Sequence, residues 1–341
     1  MLISPSPGPG GGFLLFRHFG PMPKLILGAL AILVLALISL FIGVSDVTPM
    51  SLFSSSPDDR PMQVLLISRV PRTLALILSG SALAVVGLLM QMLARNRFVE
   101  PGTAGTVESA VFGILVITIF WPGSPLIAKM LAATVTALMG TALFMQILRR
   151  IPLRSTLMVP LVGIMLGGVI SSITAFFAYR YDLLQTLGTW TLGDFSGVLR
   201  GRYELLWVSA GLVGLAWLAA DRFTVAGLGQ DFTTNLGLNY RRVLTLGLTI
   251  VSMVTAVVVV SVGSIPFLGL IVPNLVSMAV GDNARRAIPW IVLMGAGFVL
   301  VCDIVGRVIR FPYEIPIGTV FGVIGSMLFL YLLLRRRPAN G

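Results

Sequence analysis

The sequence predicts an all-α polytopic membrane protein, and three observations carry that prediction. Hydrophobic residues make up 56% of the 341 residues and charged residues only 11%, and the mean hydropathy is +0.98. A soluble domain carries about 25% charged residues, because charge keeps its surface hydrated. Long apolar runs also recur along the chain, and a bilayer core takes about 20 helical residues to cross. We therefore expect lipid to cover most of this chain.

About ten transmembrane helices are predicted, all within one domain over residues 24-337. Residues 1-23 are expected to form a disordered cytoplasmic tail and residues 338-341 a second one. The run over 266-279 is short and bracketed by prolines, which suggests a broken or half helix covered by protein. The expected spans are 25-44, 64-94, 103-120, 126-148, 156-178, 204-221, 242-262, 266-279, 287-309 and 317-334.

The distribution of Lys and Arg predicts the orientation. If the N-terminus is cytoplasmic, most of the 24 Lys and Arg residues fall in cytoplasmic loops, which is the positive-inside pattern. An even number of spans then places both termini in the cytoplasm. The net charge of +11 is mostly topogenic on this interpretation, and no nucleic-acid partner is expected.

Several classes of protein are disfavoured by what the sequence lacks. One cysteine, Cys302, and one histidine, His18, cannot build a disulfide or a Cys/His metal site. A single histidine near the N-terminus leaves a buried hydrolytic site without its usual base, and no P-loop motif is present. We expect a protein that is not an enzyme, with no catalytic residues, no metal site and no cofactor of its own.

Arginines at the predicted outer ends of two spans need a specific explanation. Arg69 and Arg72 share a helix face at i, i+3 spacing and run against the positive-inside pattern. Asp303 and Arg307, at i, i+4 spacing, are expected to form a structural ion pair that lowers the cost of burying either charge. Two interpretations stay open for Arg69, Arg72, Arg307 and Arg310: structural pairing or lipid snorkelling, and docking of carboxylates on an external partner.

The predicted inner loop between the second and third spans is polar and contains glycines. Gln91, Asn96 and Arg97 lie in it, and Glu108 follows early in the third span as an acid in an apolar run. We interpret this segment either as a solvated loop or as a gate and partner contact. A pairing of Arg97 with Glu108 across the inner mouth is left open.

Two further inner loops are candidates for contact with a soluble motor subunit. Residues 230-242 predict a short amphipathic helix, a glycine turn and the basic start of the next helix, and the loop over 281-286 is also basic. A short helix of this kind fits a groove in a partner, whereas a topogenic solvated loop is the alternative. The residues singled out are Asn235, Leu236, Gly237, Arg241 and Arg285.

The span over 156-178 carries small and hydroxyl residues at helical spacing. They are Gly163, Gly167, Ser171 and Thr174. Small residues let helices approach closely in lipid, and close packing is one interpretation of this pattern. The other is that these residues line a pathway for a bulky solute.

Motifs spread over about residues 25-337 are specific in combination. They are Arg69-Val-Pro-Arg72-Thr, Gly80, Ala82, Ala84, Gly87, Gln91, Arg95-Asn96, Pro101, Leu236-Gly237, Gly263-Ser-Ile-Pro-Phe-Leu-Gly-Leu-Ile-Val-Pro273, Asp303, Arg307, Glu314, Pro316 and Gly318. With this set the chain resembles the FecCD family, whose members are permease subunits of ABC importers for ferric siderophores, haem and vitamin B12.

The resemblance implies the ten-helix type II ABC importer permease fold in a bacterial inner membrane. It implies a second permease subunit, either a paralogue or a second copy, two ATPase subunits, and a periplasmic or lipoprotein substrate-binding protein. ATP and Mg²⁺ would bind the ATPases, and iron would enter as a ferric siderophore that brings its own ligands.

The resemblance also assigns roles to residues. It maps binding-protein docking to Arg69, Arg72 and Arg307, and ATPase coupling to the segment around Gly237 and Arg241. The pathway would be lined largely by the fifth and tenth spans.

Departures from the family pattern narrow the expected substrate. Asn96-Arg97-Phe98 stands where the family has Asn-Pro-Leu, and the third span starts with Gly102-Thr-Ala-Gly-Thr-Val-Glu108. Both resemble the variant in permeases for anguibactin-, petrobactin- and enterochelin-type siderophores, although the usual Pro-His of the eighth span is Pro273-Asn274 here.

We expect import of a ferric siderophore, catecholate-type, from periplasm to cytoplasm. The alternatives are a vitamin B12 or haem permease and, less favoured, an ion-coupled secondary transporter, whose inverted repeats and midplane carboxylates are not evident.

Overall fold

The computed structural model describes residues 21–43, 60–151 and 157–335, and this part of the chain is helical without strands. The predicted tail over 338-341 and most of the tail over 1-23 lie outside the described residues. The helices are α1 (Pro21–Phe41), α2 (Val70–Leu93), α3 (Thr106–Phe120), α4 (Leu126–Arg150), α5 (Met158–Arg180), α6 (Leu184–Thr191), α7 (Trp207–Leu218), α8 (Ala220–Ala226), α9 (Gln230–Asn235), α10 (Tyr240–Val262), α11 (Leu268–Val280), α12 (Ala284–Val308) and α13 (Ile317–Arg335).

The ten predicted spans each coincide with a helical element. Two short helical segments, Arg60–Val64 and Leu65–Arg69, run directly into α2 and extend it. Among the described residues, α1, this extended α2, α4, α5, α10 and α12 are long and apolar enough to cross a membrane, and α7 with α8 makes a seventh candidate bent by 65°. The apolar helices α3, α11 and α13 are shorter. At 1.5 Å per residue, the 13 residues of α11 cover only about 20 Å, as expected for a half helix. The all-α membrane fold is confirmed, whereas α6 was not predicted.

Helix α2 forms the centre of the bundle, with most of its side chains buried. Its glycines let two neighbours approach backbone to backbone. A Cβ atom at Gly80 would lie 2.6 Å from the carbonyl oxygen of Gly295 in α12, and one at Gly87 would overlap the backbone of Gly269 in α11. In lipid, where apolar burial drives association weakly, such close packing holds helices together.

Helices α1 and α5 lie at the periphery and expose apolar faces. Leu161, Met165 and Phe176 are examples on α5, and Leu30 and Leu33 on α1. Lipid or a protein partner must cover these faces.

The antiparallel packing of α2 and α12 defines two ends of the bundle. We call one the Asp303 end; it holds the start of α2, the end of α12 and the end of α1. We call the other the Asp282 end; it holds the loop after α2 and the turn between α11 and α12.

Candidate functional site

A buried carboxylate organises the Asp303 end. Asp303 is 1% exposed, and its Oδ1 accepts hydrogen bonds from Arg72 Nη2 at 2.7 Å and Arg72 Nε at 3.2 Å. Its Oδ2 accepts from Arg307 Nη2, in the ion pair that the i, i+4 spacing predicts. Both carboxylate oxygens are therefore satisfied by guanidinium groups, as a buried charge requires.

Two arginines of the network also hold the C-terminal end of α1. Arg307 Nη1 donates to the carbonyl oxygens of Ser39 at 3.0 Å and Ile42 at 2.6 Å, and Nη2 donates to Ser39 Oγ at 2.5 Å. Arg69 Nη1 donates to the same Ile42 carbonyl. The last carbonyls of a helix lack intrahelical partners, and positive charge there also complements the helix dipole. These contacts attach the otherwise exposed α1 to the bundle.

Where this network reaches the surface, it ends in a partly exposed ion pair. Arg72 Nη1 lies 2.6 Å from Glu314 Oε2, and the Glu314 side chain is 29% exposed whereas that of Arg72 is 12% exposed. Arg310 is exposed beside it, with its guanidinium 5.7 Å from the centre of the Tyr313 ring.

The Asp282 end carries ion pairs that are open to solvent. Arg97 Nη2 lies 2.6 Å from Asp282 Oδ2, and Arg285 Nη1 lies 2.5 Å from Asp221 Oδ2. All four side chains are at least 46% exposed. Arg97 therefore pairs with Asp282, and the pairing with Glu108 that the sequence left open is not found.

Glu108 packs instead beside α5. A Cβ atom at Gly167 would lie 3.2 Å from Glu108 Cδ. Glu108 Oε2 is buried without a hydrogen-bond partner among the described residues.

Glu100 is a buried carboxylate in the loop between α2 and α3. Its Oε1 accepts a hydrogen bond from the backbone N–H of Phe267 at 2.9 Å, at the N-terminus of α11, where a negative charge is favoured. Burial raises the pKa of Glu100 to about 7, and hydrogen bonds from the Phe267, Leu270 and Gly269 amides oppose this shift.

Gln91 satisfies a carbonyl that Pro273 leaves free. Pro273 lies inside α11 and has no N–H to donate to the carbonyl four residues earlier, which belongs to Gly269. Gln91 Nε2 donates to that carbonyl at 3.3 Å and to the Leu270 carbonyl at 3.4 Å. Gln91 thus holds the half helix against α2.

A short exposed helix precedes α10 at the Asp282 end. Helix α9 ends at Asn235, and Gly237 then adopts φ +77°, a left-handed conformation that glycine tolerates best. The Asn239 side chain accepts a hydrogen bond from Arg242 N at 3.1 Å and so caps α10. Phe232 and Leu236 are 63% and 61% exposed, so this segment presents apolar side chains to solvent.

Comparison with known proteins places the chain among transport permeases. Residues 31–335 match the model of the FecCD transport family. The chain belongs to the FecCD transport family. It is 51% identical to the petrobactin import system permease protein YclN of Bacillus subtilis, covering 90% of this chain and 96% of that protein. It is 39% identical to the ferric-anguibactin transport system permease protein FatD of Vibrio anguillarum, covering 91% of this chain and 98% of that protein.

A solved structure agrees with the sequence relatives. The fold is similar to that of a metal-chelate type ABC transporter in an inward-facing conformation, with a TM-score of 0.76, 26% identity, and coverage of 93% of this chain and 100% of that one. This likeness, together with the helical spans, confirms the type II ABC permease fold.

The predicted docking arginines of this FecCD permease occupy one region but differ in accessibility. Arg69 and Arg307 are 7% and 3% exposed and donate to the chain itself, whereas Arg72 lies at the rim and Arg310 is exposed. The structure therefore separates the four into two buried anchors of α1 and two residues that a partner could reach. Docking itself stays a prediction.

The predicted coupling residues cluster on the Asp282 end of the permease. Asn235, Leu236, Gly237, Arg241 and Arg285 are all exposed there. Arg285 is also 5.3 Å from the centre of the Trp217 ring. Their contact with an ATPase stays a prediction.

The predicted pathway residues of α5 do not form one open face. Gly163, Gly167 and Thr174 are buried, and Gly163 packs against the Thr103 carbonyl. Ser171 is exposed, because a residue eight positions from Gly163 is rotated by about 80° around the helix. Asn96 is likewise buried and accepts a hydrogen bond from Phe98 N at 2.8 Å. Close packing explains the buried set, and a pathway role for it stays a prediction.

Sequence reasoning missed two features of the site. Glu100 was not singled out within the polar loop between the second and third spans, because nothing in its local sequence shows that α11 begins beside it. Ser39 and Ile42 were also missed. They take part through backbone carbonyls, which have no sequence signature, and through the Ser39 hydroxyl, which is 268 residues from Arg307 in sequence.

Proposed function

We propose that this FecCD permease is the transmembrane subunit of an ATP-driven importer that moves a ferric siderophore, of catecholate type, from the periplasm to the cytoplasm. The observation that carries the proposal is the 51% identity to a petrobactin import permease over 90% of the chain. A second petrobactin permease, from Bacillus anthracis, is 40% identical over 92% of the chain. Vitamin B12 permeases are more distant, at 32% identity or less.

The charge distribution supports an orientation for this importer. Exposed arginines, including Arg97, Arg241 and Arg285, concentrate at the Asp282 end, which we therefore place in the cytoplasm. The Asp303 end then faces the periplasm, both termini lie in the cytoplasm, and the membrane is the bacterial inner membrane.

The periplasmic partner in this proposal is a substrate-binding protein, soluble or lipid-anchored, that presents carboxylates. Its first contacts would be Arg310 and the rim of Arg72, where an incoming carboxylate competes with Glu314 for Nη1. Arg69 and Arg307 would support this surface from beneath by holding α1. Charge pairs at the rim chiefly raise the association rate and are weakened by salt.

The cytoplasmic partners in this proposal are two ATPases that bind ATP and Mg²⁺. Helix α9 supports this assignment, because an exposed short helix with Phe232 and Leu236 on its surface suits a hydrophobic groove. The exposed apolar face of α5 suits a second permease, either a paralogue or another copy of this chain. The iron is cargo held by the siderophore, so this chain supplies no ligand for it.

Uptake by whole cells tests the proposed substrate. The permease is expressed with its partner ATPase and binding protein in a host that lacks a petrobactin permease, and uptake of radioactive iron, or of radioactive cobalt when cobalamin is supplied, is followed. We expect uptake from ferric petrobactin, little from a ferric hydroxamate siderophore, and none of cobalamin. Cobalamin or haem uptake without siderophore uptake would contradict the substrate assignment but not the permease assignment.

A further inference from the structure

A second polar site lies away from the Asp303 network, in a cleft at the same end of the bundle. The cleft has a volume of about 400 Å³ and lies between the end of α3, the start of α4, α6 and the end of α10. The Arg200 N–H donates to the Ile67 carbonyl, which places the neighbouring loop at the Asp303 end. A volume of this size is in the range of small-molecule sites.

Two cations face the cleft without a carboxylate partner. Lys129 lies in the first turn of α4 and Arg202 in the loop that precedes α7. Neither forms an ion pair within the described ranges 21–43, 60–151 and 157–335. The nearby Glu204 carboxylate accepts a hydrogen bond from Gly201 N at 2.8 Å and pairs with neither cation. The cleft therefore has a local excess of positive charge.

A buried hydroxyl in the cleft wall lacks a hydrogen-bond partner. Ser124 is 6% exposed, and its Oγ makes no hydrogen bond to any described residue. Buried polar groups are almost always satisfied, so a ligand oxygen in the cleft is the natural partner for this hydroxyl. Ser124 lies just before α4, whose first N–H groups also lack intrahelical partners and favour an anion.

The rest of the lining is apolar and aromatic. Ile114, Val260 and the Trp190 ring complete the wall, and Phe120 and Trp121 are exposed at the adjoining end of α3. Aromatic residues of this kind concentrate at membrane interfaces. Positive charge beside an apolar wall suits an amphiphile with an anionic head.

We propose that this cleft binds a phosphate group through Lys129, Arg202 and the Ser124 hydroxyl. A phospholipid headgroup and free inorganic phosphate share this chemistry, and the apolar wall favours the lipid. The site is independent of the siderophore assignment, because it uses none of the residues given a transport role above.

Native mass spectrometry of the purified full-length chain, titrated with phosphatidylglycerol or phosphatidylcholine, tests the proposal. Replacing both cations (Lys129→Gln with Arg202→Gln) is expected to lower retention of phosphatidylglycerol at least tenfold. Arg200→Gln is the matched control for the single variant Arg202→Gln, because each removes one positive charge and Arg202 lines the cleft whereas Arg200 does not. Retention should fall in Arg202→Gln and stay unchanged in Arg200→Gln. Ser124→Ala keeps both charges and is expected to weaken retention about tenfold, since hydrogen bonds to charged groups contribute about 1.5–3 kcal/mol.

A thermal-shift arm distinguishes the two sources of the anion. Stabilisation by inorganic phosphate at constant ionic strength, present in wild type and Arg200→Gln and lost in the double variant and Ser124→Ala, would assign the site to free phosphate. Selective retention of phosphatidylglycerol would assign it to a lipid. If the double variant does not fold, the retention of phosphatidylglycerol by Ser124→Ala, compared with wild type, tests the proposal by itself. Equal retention and equal stabilisation in Ser124→Ala, Arg200→Gln and wild type would overturn the proposal.

Discussion

Both ends of this permease carry arginine–carboxylate pairs, but they bury them to different degrees. At the Asp303 end, the Asp303 and Arg307 side chains are 0% and 2% exposed. Asp303 also pairs with Arg72, and Arg307 also donates hydrogen bonds to the end of α1. At the Asp282 end, Arg97 and Asp282 are 46% and 66% exposed, and the partner they share is the Ser277 hydroxyl. The atoms are at similar distances in both places, 2.7 Å for Arg72–Asp303 and 2.6 Å for Arg97–Asp282.

Because of this difference in burial, the ion pairs at the two ends differ in the free energy that it costs to break them. Breaking a buried pair leaves an uncompensated charge, whereas water replaces the partner of an exposed one. The Asp303 network should therefore hold α1, α2 and α12 together throughout the transport cycle. The pairs at the Asp282 end can exchange partners at low cost, which is consistent with the proposed contact between this surface and an ATPase.

Asp303→Asn should have the largest effect. It leaves Arg307 buried without a carboxylate and leaves Arg72 with only its partly exposed partner Glu314, at a cost of about 3–5 kcal/mol, and should lower the thermal unfolding temperature of the purified protein. Asp282→Asn is the matched control at the other end and should cost less than about 1 kcal/mol. Similar unfolding temperatures for the two variants would remove the distinction between the ends.

Glu100 should make stability depend on pH at the otherwise solvent-exposed end. Its pKa is raised from 4.5 to about 7, so the folded state binds this proton more tightly than the unfolded state. The stabilisation is complete below pH 4.5 and is lost as pH rises through 7, by about 3 kcal/mol in total. Unfolding temperatures between pH 5 and pH 8 should fall for wild type and for the exposed-carboxylate control Glu204→Gln, and change less for Glu100→Gln. If the unfolding temperatures of all three proteins changed with pH in the same way, Glu100 would not be the source of the pH dependence.

Gly237 tests whether the α9 segment must keep its backbone conformation. A β-branched residue at φ +77° is strained by about 1–2 kcal/mol, and nothing lies within 4 Å of a Cβ atom there, so the effect is purely one of backbone conformation. Gly237→Val should reduce transport per ATP hydrolysed, whereas Gly237→Asn should retain most of it because Asn tolerates this conformation. Equal coupling ratios in both variants would argue against the coupling assignment.

The exposed Arg97–Asp282 pair should have the smallest effect. A double-mutant cycle with Arg97→Gln and Asp282→Asn should give a coupling energy below about 1 kcal/mol, and this should diminish in high salt. The coupling energy between Arg72 and Asp303 is measured by a second double-mutant cycle of the same kind. Equal coupling energies for the two pairs would show that solvent exposure does not determine how strongly each pair stabilises the protein.

Most of the fold was predictable because apolar runs of bilayer length have few alternatives to a spanning helix. The half helix α11 was also predictable, from Pro266 just before it and Pro273 within it. Helix α6 was missed because its sequence, Leu184 to Thr191, is short and partly polar. Its Leu187 and Trp190 pack on the core beside α10, and that tertiary contact is not encoded in a local pattern.

The candidate site was predictable where partners are close in sequence. Asp303 and Arg307 form a pair that helical spacing dictates. Arg72 and Asp303 are 231 residues apart, and only the folded bundle brings them together. The same reason explains why the hydrogen bond from Gln91 to a carbonyl of α11 was not foreseen; its role in a gate stays a prediction.

Transport into proteoliposomes tests most directly whether this permease moves a ferric siderophore from the Asp303 end to the Asp282 end at the expense of ATP. The assembled importer is reconstituted with ATP and Mg²⁺ enclosed, and the binding protein and radioactive ferric petrobactin are added outside. We expect iron to accumulate inside with ATP and not with ADP. Iron accumulation that does not require ATP and that depends on an imposed proton or sodium gradient would contradict the account and indicate a secondary transporter.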